Sequence, residues 1–145
     1  MKKFIVSVLA VVCCSFAVAA KDVPAGWTID YDAALKEARQ SGKNVLILFT
    51  ASDWCSWCKR LRKDVLTKNS FEKYAKDHLV LVYFDFPHRN KLTQRQMGIQ
   101  QGLAAKFKVD GFPTTVVVDP EGKKLLTIPG YRQLDAYLKL LESVK

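Results

Sequence analysis

The sequence predicts an α/β domain, a central mixed β-sheet flanked by helices on both faces. Apolar runs of strand length alternate with segments of helical periodicity in the order β-α-β-α-α-β, which calls for parallel strands joined by crossover helices. A four-residue turn, Asp119-Pro120-Glu121-Gly122, separates two further β-rich runs and makes the end of the sheet antiparallel. At 145 residues the chain allows one such core, and no repeat or low-complexity segment interrupts it.

The elements follow in order. Lys21 to Gly26 reads as an exposed lead-in, and Trp27-Thr28-Ile29 as an edge strand. Asp30 is placed to cap a helix in which Tyr31, Ala34, Leu35 and Ala38 recur at helical spacing, and Ser41-Gly42 supplies its stop. Val45 to Phe49 is a continuous apolar run, as expected of a central strand covered on both faces. After the loop Thr50-Ala51-Ser52-Asp53 a helix is expected from about Ser56 to Leu66, with Leu61, Val65 and Leu66 inward and Lys59, Arg60, Arg62 and Lys63 in water. Asn69-Ser70 opens a helix that carries Phe71, Tyr74 and Ala75 on one side and ends near Asp77-His78; Leu79 to Phe84 is the next strand. Beyond the polar connection Phe86 to Asn90, Met97, Leu103, Ala104 and Phe107 recur at helix-like intervals. Gly98 and Gly102 predict that this stretch, Thr93 to Lys108, is an irregular or broken helix. Thr115 to Val118 and Lys124 to Ile128 form the hairpin strands, and Tyr131 to Val144 closes the chain as a helix burying Leu134, Tyr137, Leu138 and Leu141.

The first twenty residues stand apart. Lys2 and Lys3 precede an apolar run from Phe4 to Val12, and Ala17-Val18-Ala19-Ala20 supplies small residues, the pattern of a secretory signal peptide cut after Ala19 or Ala20. The apolar stretch is near the lower length limit for a membrane anchor. The expected organisation is a signal peptide over 1–20 and one domain over 21–145 that meets the membrane only through that leader. Its localisation is the periplasm or another exported compartment. Without Lys2 and Lys3 the domain keeps 21 basic residues against 14 acidic, a net charge of +7. These charges are dispersed and accompany no nucleic-acid-reading motif, so they describe a solvated basic surface and argue against nucleic-acid binding.

Cys13 and Cys14 leave with the signal peptide, so Cys55 and Cys58 are the mature chain's cysteines. A bridge closing a four-residue loop removes little unfolded-state entropy, so the pair points to reactivity rather than scaffolding. Trp54-Cys55-Ser56-Trp57-Cys58 follows directly on the Val45–Phe49 strand and places a dithiol where that strand turns into a helix. At such a turn the first sulfur meets unpaired backbone N–H groups and the positive end of the helix dipole, which favour a thiolate. Cys55 is therefore the expected nucleophile. Cys58, one helical turn on, is close enough to close a disulfide with it and far enough inside to be shielded.

The sequence Trp54-Cys55-x-x-Cys58-Lys59 after an apolar strand, Gly111-Phe112-Pro113-Thr114 before the next sheet segment, and the ββα ending resemble the thioredoxin superfamily over essentially the whole mature chain. The signal peptide, the Ser-Asp-Trp-Cys approach and the Pro129-Gly130-Tyr131 ending are similar to the small periplasmic DsbH-type disulfide reductases. The resemblance implies a cis peptide before Pro113, which would set the Phe112 backbone beside the dithiol, free to pair with an extended substrate segment. The expected substrate contacts are Phe112 and Pro113 together with Trp57, whose place at the exposed start of a helix suits apolar contact surface, and Trp54, Ser56, Lys59 and Thr114 are the expected supporting residues. The resemblance further implies protein disulfides as substrates, a membrane electron donor of the DsbD type, a monomer, and no cofactor or metal besides the redox-active pair. Trp54, next to a strand end, is expected to pack beneath the turn; Trp57, at the start of a helix, is harder to bury.

One departure concerns the carboxylate that thioredoxins bury in the strand before the dithiol to help deprotonate the second cysteine. Its place falls on Leu48 or Phe49; Asp53 lies in the loop instead and is expected to be solvated. That leaves water or a charged neighbour such as Lys43 as acceptor of the Cys58 proton. The strongly oxidising relatives carry His between the cysteines, whose charge stabilises the thiolate, whereas Ser56 and Trp57 carry none. The expected function is therefore an exported thiol:disulfide reductase. Its competitors are an oxidase or isomerase of secreted proteins, a zinc module in which His78 and His88 join the two cysteines, and a binding protein that uses the Phe112-Pro113 groove without redox turnover.

Overall fold

A strand with no polar face must be covered on both sides, and in β2 (Asn44–Thr50) every residue from Val45 to Thr50 is buried. It is the central strand of a five-stranded sheet in the computed structural model, which describes residues 23–145. β3 (Leu79–Asp85) runs parallel to β2 on one side, and β1 (Trp27–Thr28) runs parallel to β3 at the edge. On the other side β4 (Thr114–Val118) and β5 (Lys124–Pro129) are antiparallel. The order β1-β3-β2-β4-β5 is the mixed sheet expected. The leader over 1–20 and its cleavage site lie outside the described residues. No helix among the described residues is long and apolar enough to cross a membrane.

Alternation along the strands divides the core in two. Val45, Ile47 and Phe49 join Val80, Val82 and Phe84 on the face covered by α1 (Tyr31–Ser41) and α4 (Gln94–Phe107). Leu46, Leu48 and Tyr83 point the other way, towards Leu61 of α2 (Ser56–Leu61), Phe71 of α3 (Asn69–His78), and Tyr137 and Leu141 of α5 (Leu134–Glu142). The fully buried Tyr137 hydroxyl shares a 2.7 Å hydrogen bond with that of Thr115, and burial drives its pKa well above the usual phenol range. Asp30 caps α1 by accepting the Ala33 N–H at 2.9 Å, and Gly42 ends it at φ 70°.

Three elements differ from the sequence expectation. The helix that follows the dithiol is α-helical only to Leu61; Arg62–Leu66 form a π-helical turn, whose Arg62 carbonyl accepts both the N–H and the hydroxyl of Thr67. The wider turn keeps Val65 and Leu66 buried. α5 begins at Leu134, because Gly130 turns the chain at φ 69° and Tyr131 packs outside the helix against Trp57. The stretch expected to be broken is a continuous 14-residue helix, α4, opened by a capping box between Thr93 and Gln96.

The glycines of α4 weaken it without interrupting it. Both Gly98 and Gly102 are exposed, and no atom outside the local helix backbone lies within 4 Å of where a Cβ would stand. Gly98→Ala and Gly102→Ala should each raise stability by about 0.5–1 kcal/mol. The measurement is a urea denaturation series, with a higher midpoint at unchanged slope. A lower midpoint would show that the helix depends on glycine at that position.

Candidate active site

β2 delivers the dithiol from a tied-down end. The Thr50 carbonyl accepts the Phe86 N–H at 2.8 Å, and that of fully buried Ala51 accepts the Cys55 N–H at 3.0 Å. Cys55 then stands as N-cap of α2 in extended conformation, and its Sγ accepts the Cys58 N–H at 3.2 Å. A sulfur thus occupies the place an oxygen takes at most N-caps. Cys55 and Cys58 are joined as a disulfide with Cα atoms 5.2 Å apart. Cys55 keeps 8% of its surface and Cys58 4%, so the inner sulfur is the better shielded, as expected.

The loop before β4 forms the facing wall. The Phe112-Pro113 peptide is cis, as the resemblance implied. The Thr114 hydroxyl donates to the Gly111 carbonyl at 2.7 Å, and the Pro113 carbonyl accepts the Gly130 N–H at 2.8 Å. The Phe112 carbonyl oxygen lies 3.7 Å from Cys55 Sγ, while the Phe112 N–H makes no hydrogen bond within the described residues.

An exposed indole borders each cysteine. Trp54 does not pack beneath the turn; it is 45% exposed, because its Nε1 donates to the Phe86 carbonyl and its ring stacks on His88 at 4.7 Å. Its edge meets Phe112 at 6.1 Å, and Phe112 stacks on Phe86 at 4.9 Å. Trp57 is 55% exposed and packs against Tyr131 at 5.7 Å. Of the two indoles, Trp54 makes the ring contact with Phe112, and Trp57 makes its contact with Tyr131. His88, Phe86 and Tyr131 carry no local sequence signal that links them to the dithiol.

The cationic side chains that follow the dithiol have partners other than the sulfurs. Lys59 Nζ donates to the Asp53 carbonyl at 3.0 Å, and Arg60 Nε donates to Asp64 at 3.3 Å. Ser56 is exposed and uncharged. Asp53 is more than a solvated loop residue: its carboxylate accepts the Arg89 N–H at 2.8 Å and the His88 N–H at 3.0 Å, and these bonds hold its pKa below the usual carboxylate range. Lys43 is no partner for Cys58, since it precedes β2 whereas the dithiol follows it, a strand length of about 20 Å. Its Nζ donates to the Lys76 carbonyl instead.

Leu48 and Phe49, the two candidates for the place of the thioredoxin carboxylate, are both buried, and Cys58 borders a cavity of about 930 Å³ that also touches Leu48, Thr50 and Ser52 and reaches the surface at Lys63 and Thr67. Ser52 in turn donates through its N–H and hydroxyl to Asp85 at the end of β3. The four residues of the zinc alternative are not brought together. His88 lies on Trp54, His78 lies beside Tyr74 at the end of α3, and no cluster of three or more His, Cys, Asp or Glu is placed to hold a metal among the described residues.

A buried strand that ends in a Cys-x-x-Cys disulfide, faced by a cis-proline loop on a mixed five-stranded sheet, defines a dithiol–disulfide protein of thioredoxin fold. The thioredoxin-like domain family matches residues 31–145, and the chain belongs to that family. It is similar to the disulfide bond reductase DsbH of Chlamydia pneumoniae, with 40% identity over 95 residues, covering 66% of this chain and 57% of the relative. It is 32% identical over 105 residues to the thiol:disulfide interchange protein DsbD 1 of Pseudomonas aeruginosa, covering 72% of this chain and 16% of the relative. The matched segments thus span little more than half of one relative and a small part of the other. A solved structure of a DsbH oxidoreductase superposes with a TM-score of 0.75 at 35% identity, covering 81% of this chain and 82% of that one.

The depressed Asp53 pKa has a defined sign. Its ties to the His88-Arg89 loop are at full strength above the unfolded-state carboxylate pKa and are lost as pH falls through the lower folded-state value. A carboxyl NMR titration should place the Asp53 midpoint below that of an unstructured peptide, with the His88 and Arg89 amide shifts following the same curve. Asp53→Asn should remove that transition from both amides, and an unshifted midpoint would contradict the bonding described.

Proposed function

We propose that the chain is an exported thiol:disulfide oxidoreductase that reduces disulfides in other proteins. The observation that carries this reading is the Cys55–Cys58 disulfide set beside the unpaired N–H and the carbonyl of Phe112. In the working direction the Cys55 thiolate attacks one sulfur of a substrate disulfide, forming a mixed disulfide and releasing the other substrate sulfur, which takes a proton from solvent. Cys58 then gives up its proton, attacks the Cys55 sulfur, closes the internal disulfide and releases the second substrate thiol. Two electrons pass from the protein to the substrate. The cavity behind Cys58 offers its proton a way to solvent.

The Phe112 backbone is suited to pair with an extended substrate segment, on a loop that Pro113 and Thr114 hold in place. Trp57 and Trp54 offer exposed apolar surface on either side. Lys59 ties α2 to its loop through the Asp53 carbonyl, and Ser56 keeps the interval between the cysteines free of charge.

Reduction is favoured over oxidation by the surroundings of Cys55. Strong oxidants owe their potential to a highly stabilised thiolate in the reduced form. Here one amide, that of Cys58, donates to the sulfur, the Phe112 carbonyl oxygen opposes negative charge there, Arg60 is paired with the Asp64 carboxylate, and Lys59 donates to the Asp53 backbone carbonyl and not to the sulfur. The name of the DsbH relative agrees with this direction, and the similarity to DsbD supports a membrane electron donor of that type, because an exported reductase must be recharged in an oxidising compartment. The leader over 1–20, cut after Ala19 or Ala20, supports export to the periplasm and a mature domain over 21–145.

Equilibration of the Cys55/Cys58 pair with glutathione should give a potential near about −270 mV, as in thioredoxin, and a value near about −120 mV would reverse the assignment to oxidase. Cys58→Ser should trap the mixed disulfide. Cys55→Ser should abolish turnover, and full activity of that variant would point to non-redox binding.

Trp57→Ala should lower kcat/KM for a protein disulfide by about tenfold, as removal of an exposed aromatic anchor does. A small disulfide should suffer less, and equal losses would assign Trp57 a packing role.

A further inference from the structure

Arg60 lies over two aromatic rings at once. Its guanidinium carbon is 5.4 Å from the centroid of Trp57 and 5.1 Å from that of Tyr131, and the two rings are tilted against each other. One carboxylate oxygen fixes the arrangement: Asp64 Oδ2 accepts from Arg60 Nε at 3.3 Å and from the Tyr131 hydroxyl at 3.2 Å. The helix that follows the disulfide is thereby tied to a loop 67 residues further along the chain. The Arg60 side chain is nonetheless 57% exposed, and its two Nη atoms make no hydrogen bond within the described residues. The guanidinium therefore presents a donor edge to solvent in an orientation set by the rings and Asp64.

An i,i+4 ion pair with a cation–π contact is by itself ordinary surface structure and contributes little. Two features set this one apart. The ring beneath Arg60 belongs to one of the two residues between the cysteines, on the helix that Cys55 caps, so a substrate lying across Trp57 would meet the guanidinium. The preorientation also depends on a residue outside the helix, Tyr131, which has no part in the dithiol chemistry. A planar guanidinium with a free Nη edge suits a carboxylate, and stacking limits the entropy lost on forming the pair. The local field has the same sign, since Lys59, Arg60, Arg62 and Lys63 are opposed by Asp64 alone over residues 59–64.

We propose that Trp57, Tyr131 and Arg60 form a subsite for an acidic side chain, and that the preferred substrates carry Asp or Glu within a residue or two of the attacked cysteine. The inference rests on the reductase reading above and narrows its substrate class.

The test uses three disulfide-linked peptides that differ only in Glu, Gln or Lys beside the cysteine, reduced by the full chain in its dithiol form. At low salt kcat/KM should favour the Glu peptide over the Gln peptide by about three- to tenfold, and the ratio should fall towards one at high salt. Arg60→Gln should bring the ratio to about one at either salt, and Arg60→Glu should turn the preference towards the Lys peptide. Each ratio is internal to one protein, so a change in the active fraction cancels. Equal rates on all three peptides with the unsubstituted chain, or a ratio that survives in Arg60→Gln, would overturn the subsite while leaving the reductase reading standing. Failure to reduce any of the peptides would overturn both.

Discussion

The bond from the Cys58 amide to the Cys55 sulfur joins the local structure of the site to its chemistry. At an ordinary N-cap a side-chain oxygen satisfies one of the free amides of the first turn, a contribution of about 1 kcal/mol. Here the capping atom is a sulfur of the Cys55–Cys58 disulfide. The same geometry that starts α2 holds Cys55 at the end of a buried strand, turns Cys58 inward one turn later, and sets a donor where negative charge forms when the disulfide opens. β2 makes this placement dependable: it is covered on both faces and its terminal carbonyl is bonded to the neighbouring loop, so the turn has a rigid base.

Two backbone dipoles then compete at one sulfur. The Cys58 N–H favours the thiolate, and the Phe112 carbonyl oxygen at 3.7 Å disfavours it. Among the described residues no cationic side chain forms a hydrogen bond to the sulfur to tip this balance further. A dithiol in that condition gives up its electrons more readily than one whose thiolate is strongly stabilised. At the inner sulfur, the two candidate positions for a buried carboxylate hold Leu48 and Phe49, and Cys58 borders a cavity whose lining reaches exposed residues.

Strands, caps and the dithiol are legible in the sequence because each has a short-range cause. Apolar runs demand burial, Asp30 and Gly42 mark the limits of α1, and a Cys-x-x-Cys after a buried strand is a strong sign of sulfur chemistry at a strand-to-helix turn. The departures have causes of equal clarity. Gly98 and Gly102 read as breakers, yet Thr93-x-x-Gln96 is a visible counter-signal, and a helix opened by that capping box tolerates two exposed glycines. The place of Trp54 near a strand end points to the core, but its ring is held outside by Phe86 and His88, more than thirty residues away. The π-helical turn after Leu61 and the Asp64–Tyr131 bond depend on tertiary packing that no local pattern records.

The two carboxylates that flank α2 have parallel roles. Asp53, before the helix, accepts the amides of the loop whose His88 ring supports Trp54. Asp64, after its first turns, accepts from Tyr131 and Arg60, which support Trp57. Each holds an exposed indole in place by binding a distant segment, and exposed aromatic surface of this kind keeps a contact face only if something fixes it. The arrangement also removes the acids from the sulfur chemistry. Their charge is committed to amides, a hydroxyl and a guanidinium, so the hydrogen bonds described at Cys55 come from the backbone, and the local acidic residues fix the exposed aromatic surface rather than the redox pair.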